Sequence, residues 1–412
     1  MNSEVGVMVD CCSSSSLVSV DEALAKMLDS VSPVIESEEL DIENALGRVL
    51  AEEVRSSINV PGYDNSAMDG YAVRSADCAE KGAVLRIGQR IAAGQTGQPL
   101  EAGTAARIFT GAPVPPNADA VVMQELCEQN EEQVTINAVV KVGSHIRHAG
   151  EDIQQGGVVL EAGHRLRPQE LGLLASVGLN KVPVKRKLKV ATFFTGDELV
   201  EPGHQLAAGQ IYNSNKYTIK GLLQTTGCEI LDLGIVPDTL EATLDVLKKA
   251  AEKADLVITS GGVSVGEEDY VRVALEQLGE LTMWRIAMKP GKPVAYGKVG
   301  SAVFIGLPGN PVSVFVTFLV FARPLISKMQ GAEKYLNQFS CVRAAFNWPA
   351  GERQEYLRVR LEKNDTNTVA KLFSHQGSGV LSSACWADGL VEVPVDVAIN
   401  QGDLVSYFPF TF

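Results

Sequence analysis

Residues 255–266 read DLVITSGGVSVG, an apolar run that stops at a glycine-rich, hydroxyl-bearing loop. An unbroken apolar run bounded by turn residues describes a strand buried on both faces. Working outward, the pattern repeats. Upstream lie VATFFT (190–195), a helical stretch in NKYTIKGLLQTTG (215–227), EILDLGIV (229–236) and a helix over TLEATLDVLKKAAEKA (239–254). Downstream come the helix YVRVALEQLG (270–279), the strands LTMWRIAM (281–288) and AVFIGL (302–307), and a closing helix, PVSVFVTFLVFARPLISKM (311–329). Continuous apolar strands alternating with helices specify a doubly wound, parallel α/β sheet covered on both faces, over residues 187–330.

The flanks read differently. At 412 residues the chain is too long for one ordinary core. The expected architecture is therefore multidomain, α/β and β. Residues 18–55 read as mostly helical, with Asp21 as an N-cap and a second amphipathic stretch, IENALGRVLAEEV (42–54). Together with 145–186, which holds the helix PQELGLLASVG, they predict a discontinuous helical N-terminal linker domain. Between the halves, 56–144 shows short strands parted by Gly, Pro and Asn, and reads as an inserted β-rich domain. Residues 331–412 (CVRAAFNW, EYLRVRLE, TVAKLF, LVEVPV, DLVSYFPF) predict a C-terminal β-barrel. Residues 1–17, serine-rich with a Cys11-Cys12 pair, read as a short disordered tail and have neither the basic nor the apolar region of a signal peptide.

A net charge of −14 disfavours generic binding to nucleic acid or to an anionic membrane, because the long-range field repels both. No run approaches the ~20 apolar residues of a membrane span. Seven cysteines without CxxC spacing argue against a disulfide framework or structural zinc, and point to the cytoplasm. An acidic chain can still hold an anionic ligand in a local pocket of backbone N–H groups, a few Lys or Arg, and a divalent cation.

In an open parallel sheet, ligands bind beyond the carboxyl ends of the strands. That rule isolates Gly196-Asp197-Glu198, Pro237-Asp238, the loop from Ser260 through Gly261, Gly262 and Ser264 to Asp269, Lys289-Pro290-Gly291-Lys292-Pro293, and Pro308-Gly309-Asn310-Pro311. Glycine lets backbone approach a phosphate closely. Pro311 stands where a helix begins, an end that favours anions. Lys289 and Lys292 add compact positive charge, and carboxylates beside an anion imply Mg²⁺ as the bridge. GxGxxG and the Walker GxxxxGK[ST] are both absent, so neither dinucleotide nor ordinary nucleoside triphosphate binding is expected. Several residues have plain structural readings. Asp64 and Asn65 should stabilise a turn, Met68 should pack in the core, His375 should make a structural hydrogen bond, and Glu267 and Glu268 should be solvated helix-start acids.

PGYDNSAMDGYAV (61–73), RIFTGAPVP (107–115), RHAGEDI (147–153), TGDEL (195–199), GQIYNSN (209–215), SGGVSVGEEDY (260–270), KPGKP (289–293) and LPGNPVS (307–313) together resemble the signature series of the MoeA family, which includes the gephyrin E domain. The first is the most specific; SGGVSVG and LPGNPVS are shared with single-domain pterin adenylyltransferases. The resemblance implies a four-part, elongated homodimer, with a cleft between the central domain of one subunit and the inserted domain of the other. It implies that adenylylated molybdopterin and molybdate yield molybdenum cofactor and AMP. By motif, Asp69 and Thr110 face that cleft. Arg147 and Asp152 come from RHAGED, Glu198 from TGDEL, Asp238 from VPD and Asp269 from GEEDY. Lys289 belongs to KPGKP, Pro308 and Pro311 to LPGNP, and Ser378 to HQGS.

On this reading Asp69, Glu198, Asp238 and Asp269 ligate Mg²⁺ or orient water and phosphate, with Asp152 as a further catalytic acid. Ser264, Lys289, Lys292 and the Gly261-Gly262 amides hold pterin and phosphate, and Arg147 offers a fork of donors to an oxyanion. Arg285 and Gly379 depart from the family's usual residues. Transient contacts with the adenylyltransferase and with downstream cofactor-maturation proteins belong to the same expectation. Two rivals remain: an adenylyltransferase-like enzyme, and a non-catalytic gephyrin-like scaffold.

Overall fold

The computed structural model describes residues 17–262, 270–363 and 368–410. The expected tail up to residue 16, together with Ser264, Glu267, Glu268 and Asp269, lies outside the described residues.

The central sheet forms where the apolar runs predicted it. Its elements are β1 (Lys189–Thr195), α1 (Ser214–Thr225), β2 (Glu229–Val236), α2 (Leu240–Lys253), β3 (Leu256–Ser260), α3 (Tyr270–Leu278), β4 (Gly279–Arg285), β5 (Pro293–Val299), β6 (Ala302–Leu307) and a long helix, α4 (Pro311–Met329). The spatial order is β2-β1-β3-β6-β5-β4. Period-2 alternation splits each strand between two cores. Val190, Phe194, Leu256, Ile258, Val303 and Ile305 pack with α1 and α4 on one face. Ala191, Phe193, Val257, Ala302 and Phe304 pack with α2 and α3 on the other.

One correction concerns direction. β2, β1, β3 and β6 are parallel, but β5 runs antiparallel to both β6 and β4, so the sheet is mixed. The strand PVAYGKV was not read from the sequence. Because the link across KPGKP is short, it can join only an antiparallel neighbour, since a parallel crossover needs a dozen residues or more. β4 still ends on the same edge as β1, β3 and β6. A second correction concerns α4. It is long and apolar enough to span a membrane by length and composition, contrary to the expectation that no run approaches that length, but most of it is buried within the core. Its middle, Phe318–Ala322, is π-helical just ahead of Pro324, whose missing N–H disturbs the ordinary ladder.

The N-terminal flank is less helical than its periodicity suggested. Only Val20–Asp29 forms an α-helix, capped by Ser19. IENALGRVLAEEV gives a 3-10 turn over Ile42–Asn44 and then leaves helical geometry at Gly47, where φ is +76°. Tertiary partners override propensity here. Leu50 bridges Val184, and Arg48 donates to the carbonyl of Lys185 at 2.6 Å. Ser37–Asp41 pairs with Lys181–Lys185, and Val54–Arg55 with Val158–Leu160, so the chain leaves and returns through this region.

The segment between those pairings builds a six-stranded sheet, with Gly70–Val73 between Ala120–Met123 and Thr104–Ile108. At the C-terminus, Gln354–Lys363 pairs with both Thr368–Leu372 and Gly389–Val393, which closes the strands into a barrel. Met288–Lys289 adds parallel to Gln354-Glu355, stitching the loop after β4 onto that barrel.

Candidate functional site

The edge where β1, β3, β4 and β6 end carries the loops isolated from sequence. Gly262 has φ +62°, and a Cβ there would stand 2.7 Å from Val271 Cγ2 and 2.9 Å from Thr195 Oγ1. Only glycine fits. Gly196 is constrained by its backbone, at φ +142°, since the Glu198 carboxylate that a Cβ would meet at 2.6 Å ends an exposed, movable side chain. Above these loops, the barrel's HQGS segment closes the wall. Gly377 N–H donates to His375 Nδ1 at 3.1 Å, the structural bond expected of that histidine, and Ser378 O accepts from Val312 N–H at 2.9 Å. That last contact alters the expected anion site at Pro311. Proline has no N–H, and the next amide of α4 is already used by the barrel.

The walls enclose a cavity of about 720 Å³, within the size range of small-molecule sites. Of the residues predicted for the site, Glu198, Gly261, Gly262, Lys289, Lys292, Pro308 and Ser378 line it. Pro311 does not, although its neighbour Asn310 does. Asp238 is half-buried at the end of the edge strand β2 and is not among the lining residues. The lining holds three cations, Lys289, Lys292 and Arg353, against a single described carboxylate, Glu198. Lys289 is committed in part, since its Nζ lies 3.2 Å from Glu355. Lys292 is exposed and forms no ion pair among the described residues. Among the described residues the lining is therefore net positive in an acidic protein, while Glu267, Glu268 and Asp269 lie outside them.

Arg353 was missed from sequence. It arrives from the barrel and donates to Met288 O at 3.4 Å, which sets it beside the KPGKP loop. No local motif marked it; only the pairing of Met288–Lys289 with the barrel strand brings it in. Asn310, Ser313 and Gln376 also line the cavity, the first two within a motif already quoted.

Asp69, Thr110, Arg147 and Asp152 do not line the cavity. Asp69 precedes Gly70–Val73 and accepts from both the N–H and the hydroxyl of Thr110, each at 2.8 Å. The Thr110 amide above all, then its hydroxyl, holds the carboxyl below the ordinary aspartate range. Arg147, exposed, pairs through its backbone with Asn65. Asn65 donates to Tyr63 O at 3.3 Å, the local turn role expected of it, whereas Asp64 accepts from Ala149 N–H at 2.8 Å and so ties its turn to the distant RHAGED loop. Met68, expected in the core, is 40% exposed beside Asp69. Among the described residues, no three His, Cys, Asp or Glu side chains gather in a way that could hold a metal ion. Asp69, Glu198 and Asp238 thus do not gather as three, and Asp269, the fourth residue of the expected Mg²⁺ set, lies outside the described residues.

A mixed α/β domain whose glycine loops face a cation-lined cavity, flanked by an inserted β domain and a closed barrel, defines the class: a multidomain α/β and β protein with its cavity between sheet edge and barrel. Comparison makes the class specific. The "MoeA N-terminal region (domain I and II)" matches residues 18–178, the "Probable molybdopterin binding domain" residues 191–328, and the "MoeA C-terminal region (domain IV)" residues 342–410. Molybdopterin molybdenumtransferase of Haemophilus influenzae is 45% identical over 399 residues, covering 96% of this chain and 99% of that protein. Molybdopterin molybdenumtransferase 2 of Mycobacterium tuberculosis is 35% identical, covering 91% and 94%. A crystal structure of the molybdopterin biosynthesis moeA protein from Pyrococcus horikoshii superposes with a TM-score of 0.84 at 30% identity, covering 96% of this chain and 100% of that one. The chain belongs to the MoeA family of molybdopterin molybdenumtransferases.

Proposed function

We propose that this chain inserts molybdate into adenylylated molybdopterin with release of AMP, and that the cavity between the central sheet and the barrel holds the pterin-phosphate. The observation that carries the reading is the lining itself: glycine backbone on one wall, with Lys289, Lys292 and Arg353 converging from the other side. Such cations position and neutralise phosphate and oxyanion charge, and in a partly enclosed site they do so more strongly than in bulk water. Arg353 presents a planar fork suited to a tetrahedral oxyanion, a role the sequence reading gave to Arg147. Gly261 and Gly262 leave room for phosphate against the backbone, with Ser264 in the adjoining segment.

We further propose a homodimer in which Asp69, Thr110, Arg147 and Asp152 of a second copy complete the site. Asp69 supports this, because a carboxylate held by two bonds and left exposed is prepared for a ligand its own chain does not supply. Mg²⁺ belongs to the same proposal on different terms. Among the described residues no three His, Cys, Asp or Glu ligands gather, so an ion would be held by one or two carboxylates together with substrate phosphate, Asp269 and the second copy being further sources of ligands. Contacts with the adenylyltransferase and with downstream maturation proteins, and a cytoplasmic location, complete the reading; Cys78, Cys127, Cys228, Cys341 and Cys385 are all free, as suits a reducing compartment. The adenylyltransferase rival resembles the central block alone, whereas this chain matches the family along almost its whole length.

The test is AMP release from adenylylated molybdopterin, with and without molybdate, in wild type, Asp69→Asn and Asp238→Ala. Molybdate-stimulated release, lost in Asp69→Asn, supports the reading. Release that ignores both molybdate and the substitutions removes it.

A further inference from the structure

Asn215 is a polar side chain beside the cavity to which the reading above gives no role. It sits in the first turn of α1, at the end of GQIYNSN. Its Nδ2 donates to Ser260 Oγ at 2.8 Å and to the Gly309 carbonyl at 2.7 Å. Ser260 ends β3 and leads into Gly261 and Gly262, while Gly309 lies between Pro308 and Asn310. Both loops line the cavity. They also run side by side, since a Cβ at Gly309 would stand 3.9 Å from Gly261 Cα, and Ser260 Oγ reaches Pro308 O at 3.4 Å.

The orientation of this amide is fixed by chemistry. A backbone carbonyl can only accept, so turning the amide over would set oxygen against oxygen at Gly309. Both N–H donors therefore serve the loops. The consequence is visible on the other side, where Asn215 Oδ1 is buried with no hydrogen-bond partner among the described residues. Buried polar atoms are otherwise almost always paired. Both donors of this side chain go to the two walls of the cavity.

We infer that Asn215 is a positioning residue: it clamps the Ser260–Gly262 turn to the Pro308–Asn310 turn and so fixes the spacing of the two backbone walls that receive the phosphate-bearing substrate. The inference rests on the proposed function for its substrate, but the clamp itself does not. A displacement of about 1 Å between such walls is enough to cost on the order of a hundredfold in rate.

The experiment uses the full chain as wild type, Asn215→Asp, Asn215→Ala, Ser260→Ala and the Asn215→Ala/Ser260→Ala double variant. Asn215→Asp keeps the shape but removes both donors and presents an oxygen to Gly309. Three quantities are read: amide hydrogen exchange of peptides spanning the two turns, thermal midpoint, and kcat and KM for AMP release from adenylylated molybdopterin. The expected result is faster exchange confined to both turns in either Asn215 variant, with kcat/KM lowered about tenfold or more. Ser260→Ala, which loses one of two acceptors, shows a smaller loss of about threefold. The double variant loses more than Asn215→Ala but less than the product of the two single losses, because the changes share the Asn215–Ser260 contact while Ser260→Ala also removes the bond to Pro308. Unchanged exchange in the two turns overturns the inference, as does exchange rising evenly across the central domain together with a fall in thermal midpoint. If wild type releases no AMP from this substrate, the proposed function fails while the exchange measurement still decides the clamp.

Discussion

The edge of the central sheet and the Asp69 corner of the inserted domain carry the two halves of the expected chemistry, and they are built in opposite ways. The sheet edge is a pocket assembled within one chain, from two glycine turns and a barrel wall, with cations that face inward. The Asp69 corner is an open surface. Its carboxylate is fixed by Thr110 but encloses nothing. A pocket needs only its own fold to work as a binding site; a prepared carboxylate on an open face needs something brought to it. The difference teaches that one chain alone assembles the cation-lined pocket, whereas the acidic function is proposed to depend on a second.

The largest effects should come from the cations. Lys292→Ala and Arg353→Ala each remove a charge-assisted contact, so each should lower kcat/KM for AMP release by roughly tenfold to a hundredfold. Mixing Lys292→Ala chains with Asp69→Asn chains then tests the comparison itself. If the site spans two copies, random pairing restores about a quarter of wild-type activity, because half the dimers form one intact site out of two. If both residues act in the same chain, mixing restores nothing.

Next comes the turn. Gly262→Ala places a Cβ against Val271 and Thr195 at a positive φ, and should destabilise the central domain by about 1–3 kcal/mol. A calorimetric midpoint equal to that of wild type would show that the turn can relax, and that the pocket is less rigid than the comparison requires.

A smaller effect is expected at the open corner. The Asp69 carboxyl is held low chiefly by the Thr110 amide, then by its hydroxyl. A depressed carboxyl stays ionised to lower pH than an ordinary one, and any stability it confers is present above the unfolded value and lost as pH falls through the folded one. Thr110→Val keeps the amide and removes the hydroxyl, so the Asp69 titration should move up, partway toward the ordinary range. NMR titration of the carboxyl carbon reads this directly; an unmoved titration would mean the amide acts alone. The smallest effect belongs to Glu355→Gln, which releases a half-exposed Lys289 from a carboxylate that is itself largely buried. Such pairs contribute about 0–1 kcal/mol, so KM should change by less than about fivefold.

The turns around the pocket were legible because their residue types are dictated locally. Gly261, Gly262, KPGKP and LPGNP are short-range requirements of backbone geometry and charge, and they stand where the strand-end rule placed them. The second N-terminal helix was misread for the complementary reason. Its 3.6-residue periodicity is real, but Leu50 and Arg48 find partners in the returning segment at Val184 and Lys185, more than 100 residues away. β5 escaped notice because its neighbours looked like loop. No local motif marks Arg353, because only the pairing of Met288–Lys289 with Gln354-Glu355 brings it to the cavity.

The sequence by itself determined the alternation of strands and helices, the glycine turns and the family, because each follows from short-range pattern and from motifs kept in order. Tertiary structure alone decided that the barrel supplies a wall and an arginine to the pocket, that the sheet turns antiparallel after β6, and that Glu198 lines the pocket while Asp69 does not. The physical reason is separation: sequence records which chemistry each loop carries, but only packing of distant segments sets which loops share a cavity.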